Sequence, residues 1–287
     1  MPIHPRTRIG AVHLTVSDLA GSVAFYREHV GFREAWNRDG SAGLAAGDRV
    51  LVILHEAKDA PRPRHTTGLY HFAILVPSRV DLARSLRHFV EMRTRMQGFS
   101  DHAVSEALYL ADPDGNGIEV YRDRPQSEWP QINGQLQMTL DPLDAEGLLR
   151  EADAETRQAG GPTWKGLVAG TTIGHMHLRV SSIEDSERFY REVLGFDLIL
   201  RYGDSASFLS AGGYHHHLAV NVWGGVGAPQ PPEGALGLRH FEILLPDETA
   251  VSDVARRIQA ARVDAEVQSA SVAVKDPSGN SISILVG

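Results

Sequence analysis

A long internal duplication is the feature that most constrains the fold. The segment HLTVSDLAGSVAFYREHVGF begins at His13, and the similar segment HLRVSSIEDSERFYREVLGF begins at His177. YLADPDGNGIEV, which contains Asp112, is likewise similar to AVKDPSGNSISI, which contains Asp276. His177 follows His13 by 164 residues, and Asp276 follows Asp112 by the same 164 residues. The period is far longer than the roughly 20–50 residues of a solenoid repeat, so it predicts two related domains.

Each half divides again into two similar modules. Four short apolar segments each contain one histidine and predict the strand that opens a module; these histidines are His13, His71, His177 and His240. After the first of them, apolar side chains recur at helical spacing up to Gly31, and glycine commonly follows the end of a helix. Further strand-like segments follow, among them VLVILHE, ALYL, GIEVY, SFLS, HHHLAV and SISILV. The pattern predicts a strand, a helix and several strands, repeated four times.

A bridge of about residues 130–170 joins the two halves. It contains the segment DPLDAEGLLREADAETRQ, which has helical character. Asp141 is the predicted N-cap of this helix, and Pro142 would occupy its first position, where proline is favoured. The glycines from Gly160 are predicted to end it.

Composition excludes several classes of protein. Acidic residues outnumber basic ones, 36 to 28, and the net charge of −8 argues against binding to a phosphate backbone. No apolar run reaches the roughly 20 residues of a membrane span, and the N-terminus has no signal-peptide pattern. There is no cysteine, so a bound metal would need histidine or carboxylate ligands. We therefore expect a cytoplasmic protein that acts on small molecules, with no nucleic-acid or membrane partner.

The repeated motifs resemble the vicinal oxygen chelate superfamily, which includes glyoxalase I, bleomycin-resistance proteins and extradiol ring-cleaving dioxygenases. Two longer segments, VSEALYLADPDGNGIEVYRDRP and FLSAGGYHHHLAVNVW, further resemble the bacterial catechol 2,3-dioxygenase group. The resemblance implies an α+β fold in which four βαβββ modules form two vicinal-oxygen-chelate domains. The predicted boundaries are 1–128 for the first domain, 129–170 for a linker with a helix, and 171–287 for the second domain.

Ring-cleaving members of the superfamily hold Fe(II) with two histidines and one glutamate, and the resemblance implies such a site here, with Mn(II) as an alternative metal. Glu119 ends the second module, whereas the last module has Ser283 at the matching place, so a complete site must use Glu119. His71 opens the same module and is the expected companion. The third ligand is expected to be His177, with His13 as the alternative.

The triple histidine in GGYHHHLAV favours His177. In two-domain extradiol dioxygenases a strand reading roughly HH-x-x-A carries the acid–base histidine, and here this position is His216. If the segment is a strand, His215 and His217 share one face and His216 lies on the other. The resemblance further implies that Tyr109, ten residues before Glu119, and His102 assist the reaction.

These matches lie in the second and third modules, which are therefore predicted to pair, within one chain or across a dimer. The predicted function is Fe(II)-dependent extradiol cleavage of a catechol by O2, which gives a 2-hydroxymuconic semialdehyde-type product. Two other classes stay open at this point. One is a glyoxalase-type metal-dependent isomerase or thiol transferase, and the other is a non-enzymatic protein that binds an aromatic ligand. A homo-oligomer is expected.

Overall fold

The four-module pattern is confirmed in the computed structural model, which describes residues 1–161 and 163–287. The first module contains β1 Arg8–Val16, α1 Leu19–Phe25, β2 Arg33–Arg38, β3 Ser41–Ala46 and β4 Arg49–Glu56. The second contains β5 Gly68–Leu75, α2 Arg79–Glu91, β6 Met96–Asp101, β7 Ser105–Ala111 and β8 Gly117–Asp123. The bridge contains a 3₁₀ turn Gln126–Glu128, the short strands β9 Gln131–Ile132 and β10 Gln135–Leu136, and helix α3 Ala145–Ala159.

The third and fourth modules repeat the same order. The third contains β11 Thr172–Arg179, α4 Ile183–Arg188, β12 Asp197–Tyr202, β13 Ala206–Ser210 and β14 Leu218–Asn221. The fourth contains β15 Gly237–Leu245, α5 Glu248–Ala260, β16 Ala265–Gln268, β17 Ser271–Lys275 and β18 Ser281–Val286. Each predicted opening histidine therefore lies on the first strand of its module.

The strands form two eight-stranded sheets. One has the order β16-β17-β18-β15-β1-β4-β3-β2, which combines the fourth and first modules. The other has the order β12-β13-β14-β11-β5-β8-β7-β6, which combines the third and second modules. The predicted pairing of the second and third modules is thus confirmed, and it occurs within one chain.

The chain packs as two compact units, which do not coincide with the two halves of the sequence. One unit comprises Met1–Ser17, Ala57–Phe72 and Gly174–Gly287, and the other comprises Asp18–Glu56 and Ala73–Ile173. The predicted boundaries at residues 128 and 170 stay predictions. Within the described ranges, none of the helices combines the length and the apolar character needed to cross a membrane.

Helix α1 has a side-chain cap at its start and a glycine after its end. The Asp18 side chain accepts a hydrogen bond from the Gly21 amide at its first turn. At the other end a π-helical turn spans Tyr26–Val30, and the Gly31 amide donates to the Tyr26 carbonyl. Gly31 has a φ of 95°, a left-handed conformation that glycine adopts without steric cost, so the predicted stop is confirmed.

The duplicated aspartates hold the duplicated tyrosines. In each half an Asp-Pro-x-Gly-Asn turn leads into the last strand of a module, and the aspartate accepts hydrogen bonds from the turn's own asparagine. The fully buried Tyr26 hydroxyl donates to Asp112 at 3.0 Å, and the Tyr190 hydroxyl donates to Asp276 at the same distance. Burial raises the pKa of both aspartates. This part of the motif is structural, because it fastens a helix of one module to a turn of the next.

Removing either tyrosine hydroxyl is expected to destabilise the fold. Tyr26→Phe and Tyr190→Phe should each lower the free energy of unfolding by about 1.5–3 kcal/mol, because a buried carboxyl group loses a donor. Urea unfolding followed by circular dichroism measures the change, and Tyr202→Phe, at an exposed side chain, is the matched control. A loss below about 0.5 kcal/mol at both buried positions would show that these bonds contribute little.

The bridge helix starts three residues later than predicted. The N-cap is Asp144, whose side chain accepts from the Gly147 amide, and not Asp141. The reason is that the backbone N–H and C=O of Asp141 are both bonded to Asp101, which extends the chain there. The predicted end is confirmed, since Gly160 caps the helix in the left-handed conformation.

Helix α3 packs on helix α2 through a buried apolar face and a row of ion pairs. Leu148 and Ala152 are buried. The arginines of α2 pair with the acidic residues of α3 as Arg79–Glu151, Arg84–Glu155 and Arg87–Asp153. This fixes the bridge beside the second module.

Candidate metal centre

Three buried side chains of the second and third modules form a group that could hold a metal ion. They are His71 on β5, Glu119 on β8 and His175 on β11, which are 6%, 2% and 2% exposed. Each of the three residues has a ligand atom within 4.8 Å of the ligand atoms of the other two. Among the described residues, this is the group of histidine and carboxylate side chains that could hold a metal ion. The Nε2 atoms of His71 and His175 are 3.4 Å apart.

This geometry fits a divalent cation. Two nitrogens that each bind one metal at about 2.0–2.1 Å lie roughly 3 Å apart when they occupy neighbouring positions. A carboxylate removed from water needs a compensating charge, and a cation supplies it. Two imidazoles and one carboxylate are also the ligand set that leaves coordination positions open on non-haem iron.

The two residues that are expected to assist the reaction, Tyr109 and His102, contact each other, and Tyr109 lies beside Glu119. Tyr109 on β7 is directly opposite Glu119 on β8, so the two side chains share one face of the sheet. The Tyr109 hydroxyl is 2.7 Å from His102 Nε2, and His102 Nδ1 is 2.8 Å from the Thr139 carbonyl oxygen. A carbonyl only accepts, so His102 Nδ1 carries a proton. In neutral His102 the Nε2 is then an acceptor, and Tyr109 donates its hydroxyl proton to it.

The triple histidine is not part of a strand, so the prediction of alternating faces is wrong. Strand β14 begins only at Leu218, and the preceding residues form a bent segment. His215 and His216 therefore turn toward each other, with their Nδ1 atoms 2.8 Å apart. His217 instead bonds Ser210 and the Ala211 amide through its Nδ1. All three rings are buried.

His216 nevertheless lies next to the metal group. Its ring centroid is 4.1 Å from that of His175 and 5.1 Å from that of Phe208. The bond to His215 requires that one Nδ1 is a donor and the other an acceptor, so the tautomers of the two rings are coupled. A histidine beside a metal group is suited to proton transfer.

The structure gathers His175 into the metal group, whereas the sequence pointed to His177. The two residues share a face of β11 because they are two apart. The His177 ring is 4.9 Å from the His71 ring, but His177 is not a member of the group. The comparison of the two halves gave no sign of His175, since its counterpart in the first module is Ala11. The only indication in the sequence was that the segment GHMH contains a second histidine, two residues before His177.

The other sheet carries an altered copy of the site. His13, the alternative ligand, stacks on His240 with ring centroids 3.8 Å apart. Its Nε2 is 3.5 Å from a Glu242 carboxylate oxygen, and the Glu242 carboxylate also accepts from the Ala11 amide at 2.8 Å. Burial alone would raise the pKa of Glu242, but these two contacts hold it below the usual value. Ser283, opposite Glu242 on β18, offers no carboxylate.

Fold and site together define a protein of paired βαβββ modules with a buried histidine–carboxylate centre. The chain belongs to the Glyoxalase/Bleomycin resistance protein/Dioxygenase superfamily, whose sequence profile matches residues 8–120 and 172–284. It is 45% identical over 280 residues to the catechol-2,3-dioxygenase of Bacillus subtilis strain 168, and the match covers 96% of this chain and 95% of that protein.

Two solved structures are similar in fold. One is a Bacillus subtilis protein assigned as a dioxygenase, with a TM-score of 0.64 and 13% identity over all of this chain and 86% of that one. The other is glyoxalase I of Zea mays, with a TM-score of 0.58 and 16% identity over 98% of this chain and 92% of that one.

Proposed function

We propose that the protein is a metal-dependent extradiol dioxygenase that cleaves a catechol beside its diol. The observation that carries the proposal is the buried group of His71, Glu119 and His175 with His216 in contact with it. The 45% identity to a catechol-2,3-dioxygenase supports the same reaction and substrates, a catechol and O2. We take Fe(II) as the metal, and Mn(II) as the alternative that metal-loading experiments must separate.

The reaction balances without an external reductant. The carbon–carbon bond next to the two hydroxyl-bearing carbons breaks, both atoms of O2 enter the product, and the ring supplies the electrons. The product is a 2-hydroxymuconic semialdehyde, which carries one new carboxylate. When bound, the metal ion supplies a Lewis acid for the catechol oxygens and a redox partner for O2.

Proton transfer is the part of the reaction that the side chains of this protein must supply. A catechol hydroxyl is a phenol with an ordinary pKa near 10, so it needs a base when it binds as an anion. His216 is assigned that role because an imidazole can accept a proton near neutral pH and return it later in the cycle. The bond to His215 couples the tautomers of the two rings, because one Nδ1 must donate and the other accept.

Tyr109 and His102 are assigned a second proton path. The Tyr109 hydroxyl donates to His102, and its oxygen can accept a hydrogen bond from a substrate hydroxyl. The Thr139 carbonyl keeps the accepting nitrogen of His102 directed at Tyr109. Because Tyr109 is opposite Glu119 on the neighbouring strand, this path ends at the metal group.

Oxygen consumption tests the function directly. Protein loaded anaerobically with Fe(II) should take up O2 in a 1:1 ratio to added catechol and give a yellow product, whereas Glu119→Ala should be inactive. Loading with Mn(II) in parallel identifies the metal. Glu128→Ala, on a surface turn of the bridge, is the matched carboxylate control. Iron-loaded protein that consumes no O2 with catechol, with alkylcatechols or with carboxylated catechols would contradict the proposal.

A further inference from the structure

Arg179, at the end of strand β11, is a half-buried cation without an acidic partner among the described residues. Its guanidinium donates one hydrogen bond, from a terminal nitrogen to the Leu69 carbonyl oxygen at 2.7 Å. The guanidinium carbon also lies 5.2 Å from the centre of the Tyr70 ring. Burial lowers the pKa of Arg179, and no carboxylate of the described residues opposes the effect. A guanidinium has five N–H donors, so Arg179 has further donors to offer a ligand.

Other buried or half-buried arginines have an evident structural reason. Five of them form ion pairs with acidic side chains: Arg79, Arg84, Arg87, Arg122 and Arg124. Arg257 binds the carbonyls of Val193 and Leu194 at the end of a helical turn, where cations are favoured. Among the described residues Arg179 has no ion pair, and it does not lie at the end of a helical turn, although acidic residues outnumber basic ones in this chain.

Its position relates it to the metal group. His175, His177 and Arg179 follow one another at every second residue of β11 and therefore share a face. The Tyr70 ring lies near both groups: its centroid is 5.2 Å from the Arg179 guanidinium carbon and 5.2 Å from the His71 ring centroid.

Aromatic rings line the space beside Arg179, and we call Tyr70, His177 and Trp223 the aromatic wall. Trp223 packs edge-on against Tyr70 at 5.1 Å and lies 5.3 Å from the His177 ring. Trp223 is 49% exposed, so the wall reaches the protein surface. A flat aromatic molecule that contacts the metal group can lie along such a wall and extend toward the cation.

We propose that Arg179 binds an anionic group on the ring substrate, so that the preferred substrates are catechols with a carboxylate on a short side chain. The inference rests on the proposed function, whose substrate class it narrows. A planar carboxylate matches the guanidinium fork in two parallel hydrogen bonds. A half-buried setting strengthens this attraction relative to water, whereas a neutral alkyl chain gains nothing from the charge.

Paired substrates and paired variants test the inference. Wild-type protein should show a kcat/KM about 10–100-fold higher for 3,4-dihydroxyphenylacetate than for 4-propylcatechol, which has a neutral chain of similar length. Arg179→Gln should lose that ratio by lowering activity on the carboxylate alone. Arg179→Lys should keep part of it, because it retains the charge without the fork. Arg188→Gln, at an exposed arginine of α4, is the control that should leave the ratio unchanged.

The possible outcomes are distinct. Equal losses on both substrates in Arg179→Gln would mean that Arg179 only holds the Leu69 backbone, and the inference would be wrong. A wild-type preference for 4-propylcatechol would also overturn it. If neither catechol is cleaved, the proposed function fails. Anaerobic calorimetry with metal-loaded protein would then still decide the inference, by whether wild type binds the carboxylate more tightly than Arg179→Gln does.

Discussion

His175→Ala is expected to abolish metal binding, whereas His177→Ala keeps the metal. The expected loss of affinity is more than about 100-fold, because it should exceed the roughly 10–100-fold effect of residues that only contact ligands. The reason is geometric: the His175 Nε2 lies 3.4 Å from the His71 Nε2 and belongs to the buried group with Glu119, and His177 does not. Both histidines are on one face of one strand, so each variant is the matched control of the other.

The measurement is the iron content of each variant after anaerobic loading and dialysis, together with its melting temperature with and without metal. A bound metal raises the melting temperature of wild type by mass action, and this rise should persist in His177→Ala and vanish in His175→Ala. Retention of iron by His175→Ala together with its loss from His177→Ala would restore the ligand set predicted from the duplication. Loss of iron from both would make His177 necessary too.

The second large effect is expected at His216. His216→Asn should lower kcat by about 10²–10⁴-fold, the usual contribution of a general acid–base, while the iron content stays near one per chain. His216 contacts the His175 ring, so its metal affinity must be measured alongside. His217→Asn is the matched control, because His217 is also buried but directs its Nδ1 to Ser210 and the Ala211 amide.

The pH profile gives an independent check on His216. If His216 is the base, the acidic limb of the kcat/KM profile should disappear in His216→Asn, since asparagine does not titrate near the ordinary histidine pKa of about 6.5. A kcat within about threefold of wild type, with the acidic limb unchanged, would rule out this role and direct attention to Tyr109 and His102.

Local structure followed closely from local sequence. The stop at Gly31 and the four opening strands depend on residues near in the chain, and both were predicted. The exceptions were places where distant residues compete for the backbone. Asp141 would cap a helix in isolation, but Asp101 takes both of its backbone groups, and the helix begins after Asp144 instead.

The site was predictable where only one residue could serve. Glu119 stood out because its counterpart is Ser283, and His71 because it opens the same module. For the third ligand the sequence offered His177 and His13, and it did not single out His175, which lies on the same strand and the same face as His177. Repeat alignment favours the residue that is duplicated, but metal ligation depends on distances across strands that the alignment does not contain.

The sequence by itself determined that this chain consists of four similar modules, each with a strand, a helix and several strands, and that Glu119 is replaced by Ser283 in the duplicated terminal strand. Those conclusions need only periodicity, turn residues and the comparison of one half with the other. The tertiary structure alone decided that His175 joins His71 and Glu119, that His215 and His216 face each other, and that the Tyr70 ring lies near both Arg179 and His71. Each of these depends on how neighbouring strands are placed side by side, and a one-dimensional pattern does not specify that placement.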